Sequence, residues 1–169
     1  MKYAFLFVLG LVSSIVLHPE QLATLGRIVL KDPFNETHSV TFPTIKPIFV
    51  AVADQEAANP MKHWIEASKQ QFGTNVHYIG VADVRKVPAV LRSFVRKRFK
   101  EAYTYPILLD WSGSFARPLN AKAGVPNVYL FSPEGKLLAN EAGEVTEKKV
   151  QRFCAAINQS KTKTIPPKK

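Results

Sequence analysis

Cysteine is nearly absent: Cys154 is the only one in 169 residues. A lone thiol cannot close an intramolecular disulfide, form a CxxC redox pair or build a multi-cysteine zinc site. The chain also has no P-loop, no GxGxxG turn, no GxSxG elbow and no HExxH pair. Those absences remove the usual motifs for nucleotide, dinucleotide and hydrolytic chemistry, and no cofactor is expected. The four histidines, His18, His38, His63 and His77, share no ligand spacing, so no metal site is expected either. The longest apolar stretch, Tyr3 to Leu17, has 15 residues and is interrupted by Gly10, Ser13 and Ser14. That is short of the ~20 residues a spanning helix needs.

The same stretch, behind Met1-Lys2, has the length of a signal-peptide core, about 7–15 residues. The expectation is export to a periplasmic or extracellular site, with an uncleaved membrane tether as the alternative. The implied layout is a leader or short anchor over 1–17, one domain over 18–160 and a basic flexible tail over 161–169. Hydrophobic residues make up 46% of the chain, enough to exclude wholesale disorder.

The formal charge of +10 is concentrated. Arg85 to Lys100 holds seven cations and no acid, and Lys161 to Lys169 holds four lysines. Taking those eleven from the 23 Lys and Arg leaves 12, against 13 Asp and Glu. Most of the molecule is balanced, so nucleic acid is not the expected partner. The basic segment, with Arg92, Arg96, Lys97 and Lys100, suits an anionic surface or an acidic partner instead.

Arg27–Leu30 and Ser39–Phe42 read as a hairpin around a polar turn, and the run Ile48–Ala53 as a central strand. Asn59-Pro60 reads as an N-cap and first position of a helix running to Gln71 and stopped by Gly73. Val76–Val84 is the next strand. Pro88 to Tyr103 is a helix whose apolar face (Val87, Val90, Leu91, Phe94, Val95, Phe99) should cover the sheet, its cations pointing away. A strand at Ile107–Leu109 ends at Asp110, and Ser114–Asn120 reads as a brief helix. Val128–Phe131 and Lys136–Ala139 form a second hairpin, followed by a helix over Thr146–Asn158. This order predicts a three-layer α/β sandwich with a mixed sheet.

Within it, Tyr105-Pro106-Ile107-Leu108-Leu109-Asp110, then Phe115-Ala116-Arg117, then Gly124-Val125-Pro126-Asn127-Val128-Tyr129-Leu130-Phe131 and Pro133-Glu134-Gly135-Lys136 resemble the redoxin branch of the thioredoxin fold. The likeness spans residues 26–158. In such proteins a redox cysteine sits at the start of the helix after the first core strand, where the helix end stabilises a thiolate. Here that place reads Asp54-Gln55-Glu56-Ala57-Ala58-Asn59-Pro60-Met61, without cysteine. The resemblance further implies a cis bond at Pro126. It also implies a groove formed by Ala57, Ala58, Asn59, Pro60, Val125 and Pro126 that holds an extended protein or peptide partner by strand addition. Catalysis is not expected. The rival is a thiol oxidoreductase or peroxidase relative acting through an atypical site, either Cys154 or carboxylates in the groove.

Cys154 falls on the stripe Val150, Phe153, Cys154, Ile157 and is expected as a small apolar filler rather than a reactive or dimer-forming thiol. Asp54, Glu56, Asp83 and Asp110 all lie at strand ends. Capping and turn roles are expected of them, with acid–base work as the alternative.

Overall fold

The structure, a computed structural model, describes residues 25–163. The stretch Tyr3–Leu17 and the tail from residue 164 onward lie outside the described residues. In chain order the elements are β1 (Arg27–Lys31), β2 (Thr37–Thr41), β3 (Ile48–Ala53), α1 (Ala58–Phe72), β4 (His77–Asp83), α2 (Arg92–Ala102), β5 (Ile107–Asp110), β6 (Asn127–Phe131), β7 (Leu137–Ala142) and α3 (Glu147–Lys163). The strands form one mixed sheet in the order β2-β1-β5-β4-β3-β6-β7. β3, β4 and β5 are parallel neighbours, and the outer pairings are antiparallel.

The apolar run of β3 is buried on both faces because the strand alternates between two cores. Ile48, Val50 and Val52 join Ile28, Leu30, Val81, Phe115 and Tyr129 on one side. Phe49 and Ala51 join Met61, Trp64, Phe72 and Phe153 on the other. The register pairs Ala51 with Gly80 and Ala82 with Leu109, so Ala82 and Leu109 lie on the Ala51 face. There they meet Val95 and Phe99 of α2. Successive right-handed crossovers stepping in one direction put their helices on one face, and α1, α2 and α3 all share it. The turn-rich segment after β5, through Phe115 and Ala116, covers the opposite face.

Four local expectations are corrected. The first helix begins at Ala58, not at Pro60; Ala57 takes the cap position without a side-chain cap. Pro60 then lies in the first turn, where a missing N–H costs nothing. Residues 114–120 form consecutive turns rather than a helix. Asp110 takes the N–H groups of Phe115 and Ala116, and Pro118 has none to give. The basic segment splits into a 3-10 turn, Ala89–Leu91, and α2. The tighter turn shifts the phase of the apolar residues. Val87, Val95 and Phe99 still pack inward, whereas Val90, Leu91 and Phe94 are 85%, 48% and 57% exposed. Finally, α3 continues to Lys163, past the expected end at Asn158 and into the expected tail.

One core residue gives the fold a measurable alkaline limit. Tyr129 on β6 is 3% exposed and donates its hydroxyl to the Leu119 carbonyl at 3.2 Å. Burial pushes its pKa up from 10.0 to about 12. A raised folded-state value means the stabilisation is intact below pH 10 and is lost as pH rises from 10 toward 12. Two units correspond to about 2–3 kcal/mol. Urea unfolding across that range should show the loss, and Tyr129→Phe should flatten that part of the pH dependence. An unchanged slope in the variant would contradict this account.

Candidate functional site

The carboxyl ends of β3, β4 and β5 point to one edge of the sheet, and each delivers an aspartate there: Asp54, Asp83 and Asp110. Crevices outside such strand ends are where open α/β sheets collect ligands. A cleft of about 280 Å³ opens at this edge, lined by Asp54, Asp83, Arg85, Lys86 and Arg117.

Asp54 ties the two sides of the expected groove together. Its Oδ1 accepts the Ala57 N–H at 3.1 Å, and its Oδ2 accepts the Gly124 N–H at 2.7 Å. Gly124 has φ +74°, a conformation that favours glycine, and the tip of the Glu56 side chain lies beside it. A carboxylate thus braces the turn into α1, the place where the redoxin resemblance implies a cysteine.

Asp83 is engaged by Arg85 through a two-pronged pair, Nε to Oδ1 at 2.8 Å and a terminal nitrogen to Oδ2 at 2.6 Å. Burial pushes the Asp83 carboxyl up, but the hydrogen bonds and charge of Arg85 outweigh it and hold it below the usual range. The guanidinium is correspondingly raised, first by the bond to Asp83, against desolvation, and then by the charges of Asp83 and Asp110. Asp110, fully buried, accepts from the N–H groups of Gly113, Phe115 and Ala116 at 2.8, 3.1 and 2.8 Å. It works as the expected turn-former and shapes the loop carrying Arg117. The Arg85 stem fills the space beside Gly113, where a Cβ would collide with it.

Once Asp83 and Arg85 cancel, the lining retains Asp54, already satisfied by two backbone donors, and the exposed cations Lys86 and Arg117. No salt bridge engages either cation among the described residues. The cleft therefore favours an anionic group. It contains no thiol, hydroxyl or imidazole side chain. Arg117 was not among the expected site residues, and Arg85 was expected only as one cation of the basic segment. Their signal was position, since each lies in the loop just beyond the carboxyl end of a parallel strand.

The expected groove residues meet where the α1 turn faces the loop before β6, but they offer little surface. Ala57 and Pro126 are buried, Ala58, Pro60 and Val125 half-buried, and only Asn59 is exposed. The cis bond implied at Pro126 is corrected: the cis peptide among the described residues is Phe42–Pro43. Side chains and backbone brace the Pro126 loop instead. Asn127 Nδ2 donates to the carbonyls of Lys122 and Val125, both at 2.8 Å, and the Pro126 carbonyl accepts the Gly143 N–H at 2.8 Å. With those carbonyls engaged and β6 paired on both edges, the loop presents no open strand edge for addition.

The basic residues of α2 are spread around the helix. Arg92 and Arg96 lie over the Trp111 ring at 5.2 and 5.7 Å, Lys97 sits 3.9 Å from Glu101, and Lys100 lies over Phe34 at 4.9 Å. Cys154 is half-buried and packs against the core of α1 and α3. Away from the cleft, the first hairpin brings Asp32, Glu36 and His38 together, their ligand atoms within 4.8 Å. A mixed carboxylate–imidazole set of this kind can hold a divalent cation. Here Asp32 already accepts the Glu36 N–H at 2.9 Å and pairs with His38 at 2.9 Å. The spacing Asp-x3-Glu-x-His across a short hairpin was the readable signal for this cluster, which the histidine spacing alone does not reveal.

No family model matches the chain, and no curated protein matches it. Solved structures do. The exposed lipoprotein thioredoxin Etrx1 of Streptococcus pneumoniae superposes with a TM-score of 0.58 at 13% identity, covering 76% of this chain and 98% of its own. A thiol:disulfide interchange protein DsbE from Chlorobium tepidum gives 0.57 at 14% identity, covering 82% and 98%. StoA from Bacillus subtilis gives 0.55 at 13% identity, covering 78% and 99%. The chain has a thioredoxin-like α/β fold, and the turn into its first helix carries a carboxylate and no cysteine.

Proposed function

We propose that this is an exported thioredoxin-like protein without thiol chemistry: a binding or accessory module that receives an acidic protein segment in the cleft and uses α2 as a second contact surface. One observation carries the reading. The turn where relatives of this fold place a nucleophile holds Asp54, both of whose oxygens already accept backbone N–H groups, beside the cations Lys86 and Arg117, which make no salt bridge among the described residues. Recognition would run through side chains at the cleft rather than through a backbone ladder at Pro126. Export is supported by the leader-like residues 1–17 and by the description of Etrx1 as an exposed lipoprotein. The rival reading, a thiol oxidoreductase with an atypical site, rests on Cys154, which lies on α3 and not in the cleft.

A fluorescent Asp- and Glu-rich peptide should bind the protein at low salt. Reversing both Lys86→Glu and Arg117→Glu should weaken it about tenfold or more, each charge pair being worth roughly a kilocalorie. Thiol–disulfide exchange with oxidised glutathione should run at the buffer rate. Equal peptide affinity in the double variant would remove the cleft reading. An exchange rate that disappears in Cys154→Ala would establish the rival.

A further inference from the structure

The outward surface formed by the 3-10 turn and α2 combines two properties that soluble helices usually keep apart. α2 has no buried residue. Val90, Leu91 and Phe94 stand in solvent at 85%, 48% and 57% exposure. Helical spacing places Phe94, Lys97, Arg98 and Glu101 along one line, at i, i+3, i+4 and i+7. The Arg98 guanidinium lies over the Phe94 ring at 5.8 Å, so charge and apolar surface are in contact rather than on opposite sides. Lys86, exposed just before the turn, adds another cation, and Glu101 is the only acid in Arg92–Ala102.

The inward side is anchored separately. Val95 and Phe99 pack on Ala82, Val84 and Leu109. Arg92 and Arg96 close over Trp111. The apolar tips can therefore be withdrawn from water without unpacking the domain.

From this geometry we infer that the Val90–Leu91–Phe94 surface seats on an anionic lipid bilayer. The three apolar side chains enter the headgroup–acyl boundary, and Lys86, Lys97 and Arg98 meet lipid phosphates. Shallow apolar insertion and attraction to anionic headgroups reinforce each other in interfacial segments. A purely acidic protein would satisfy the cations but would leave Val90 and Phe94 in water, so the charge complement alone does not account for them. The inference builds on α2 as a contact surface and shares only Lys86 with the cleft.

The test uses the full chain and vesicles of phosphatidylcholine with or without phosphatidylglycerol. Because Tyr3–Leu17 is itself apolar, the readout is local. A bimane label is placed on Val90→Cys in a Cys154→Ala background, and on Asn140→Cys, on the opposite edge strand β7, as control. Spin-labelled lipid should quench the label at position 90 and not at position 140 in phosphatidylglycerol vesicles. Quenching at position 90 should fall about tenfold or more when Leu91→Ser/Phe94→Ser is added, and again at high salt. The double variant should keep the wild-type melting curve, since both residues are exposed. Quenching at 140 but not at 90, equal quenching without phosphatidylglycerol, or undiminished quenching at 90 in the double variant would each overturn the inference. Loss of the acidic-peptide affinity with quenching intact would remove only the cleft reading.

Discussion

Asp110→Ala should lower the unfolding free energy by about 3–5 kcal/mol, read as a shift in the urea midpoint at unchanged slope. The size follows from what the carboxylate does: it accepts three backbone N–H groups from a position with no solvent access. Each buried donor left without an acceptor costs about 1–3 kcal/mol. Asp110→Asn retains one acceptor oxygen and should fall between the variant and wild type. The consequence extends to the cleft, because the same turn supplies Gly113, against which the Arg85 stem rests, and Arg117. The acidic-peptide affinity should therefore fall even at temperatures where Asp110→Ala remains folded. A loss below about 1 kcal/mol would mean that water replaces the carboxylate as acceptor.

The second large effect is expected at Trp64. The ring is 1% exposed, tilted against Phe153 at 5.8 Å, and its Nε1 donates to the Gly143 carbonyl at 2.8 Å. It thereby joins α1, whose start forms one wall of the cleft, to the turn between β7 and α3. Trp64→Ala should cost about 3–5 kcal/mol, and Trp64→Phe, which keeps the ring but loses the hydrogen bond, about 1–2 kcal/mol. Loosening this contact also loosens Phe153, the sequence neighbour of Cys154. Thiol-reagent labelling of Cys154 should accordingly accelerate in Trp64→Ala relative to wild type. Unchanged labelling with a large stability loss would show that α3 holds its place without the ring.

Much of this architecture was legible because period and punctuation agree. The unbroken run Ile48–Ala53 read as a strand covered on both faces, and the turn Ser132-Pro133-Glu134-Gly135 announced its hairpin, closed by the Gly135 N–H donating to the Ser132 carbonyl at 2.9 Å. The empty nucleophile position was likewise readable from Asp54 to Met61. What escaped was set by tertiary contacts. Apolar spacing in 87–99 suggested one sheet-facing stripe, but three residues of 3-10 geometry turned Val90 and Leu91 outward. Residues 114–120 had helical composition, yet a single buried carboxylate claimed their N–H groups. The cis bond expected at Pro126 is not what holds its loop: Asn127 and Asp54 fix it from opposite sides.

The double grip of Asp54 bears on what a thiol introduced at this turn could do. Ala57, at the cap of α1, is fully buried, and a thiol placed there would sit in apolar surroundings that favour the protonated, unreactive form. Exposing it would require the turn to move away from Gly124, and the Asp54 carboxylate holds both ends of that movement. A single substitution installs sulfur without access, whereas loss of Asp54 alone opens the turn without supplying a nucleophile. A reactive thiol at this turn therefore takes two dependent changes, one to supply sulfur and one to expose it.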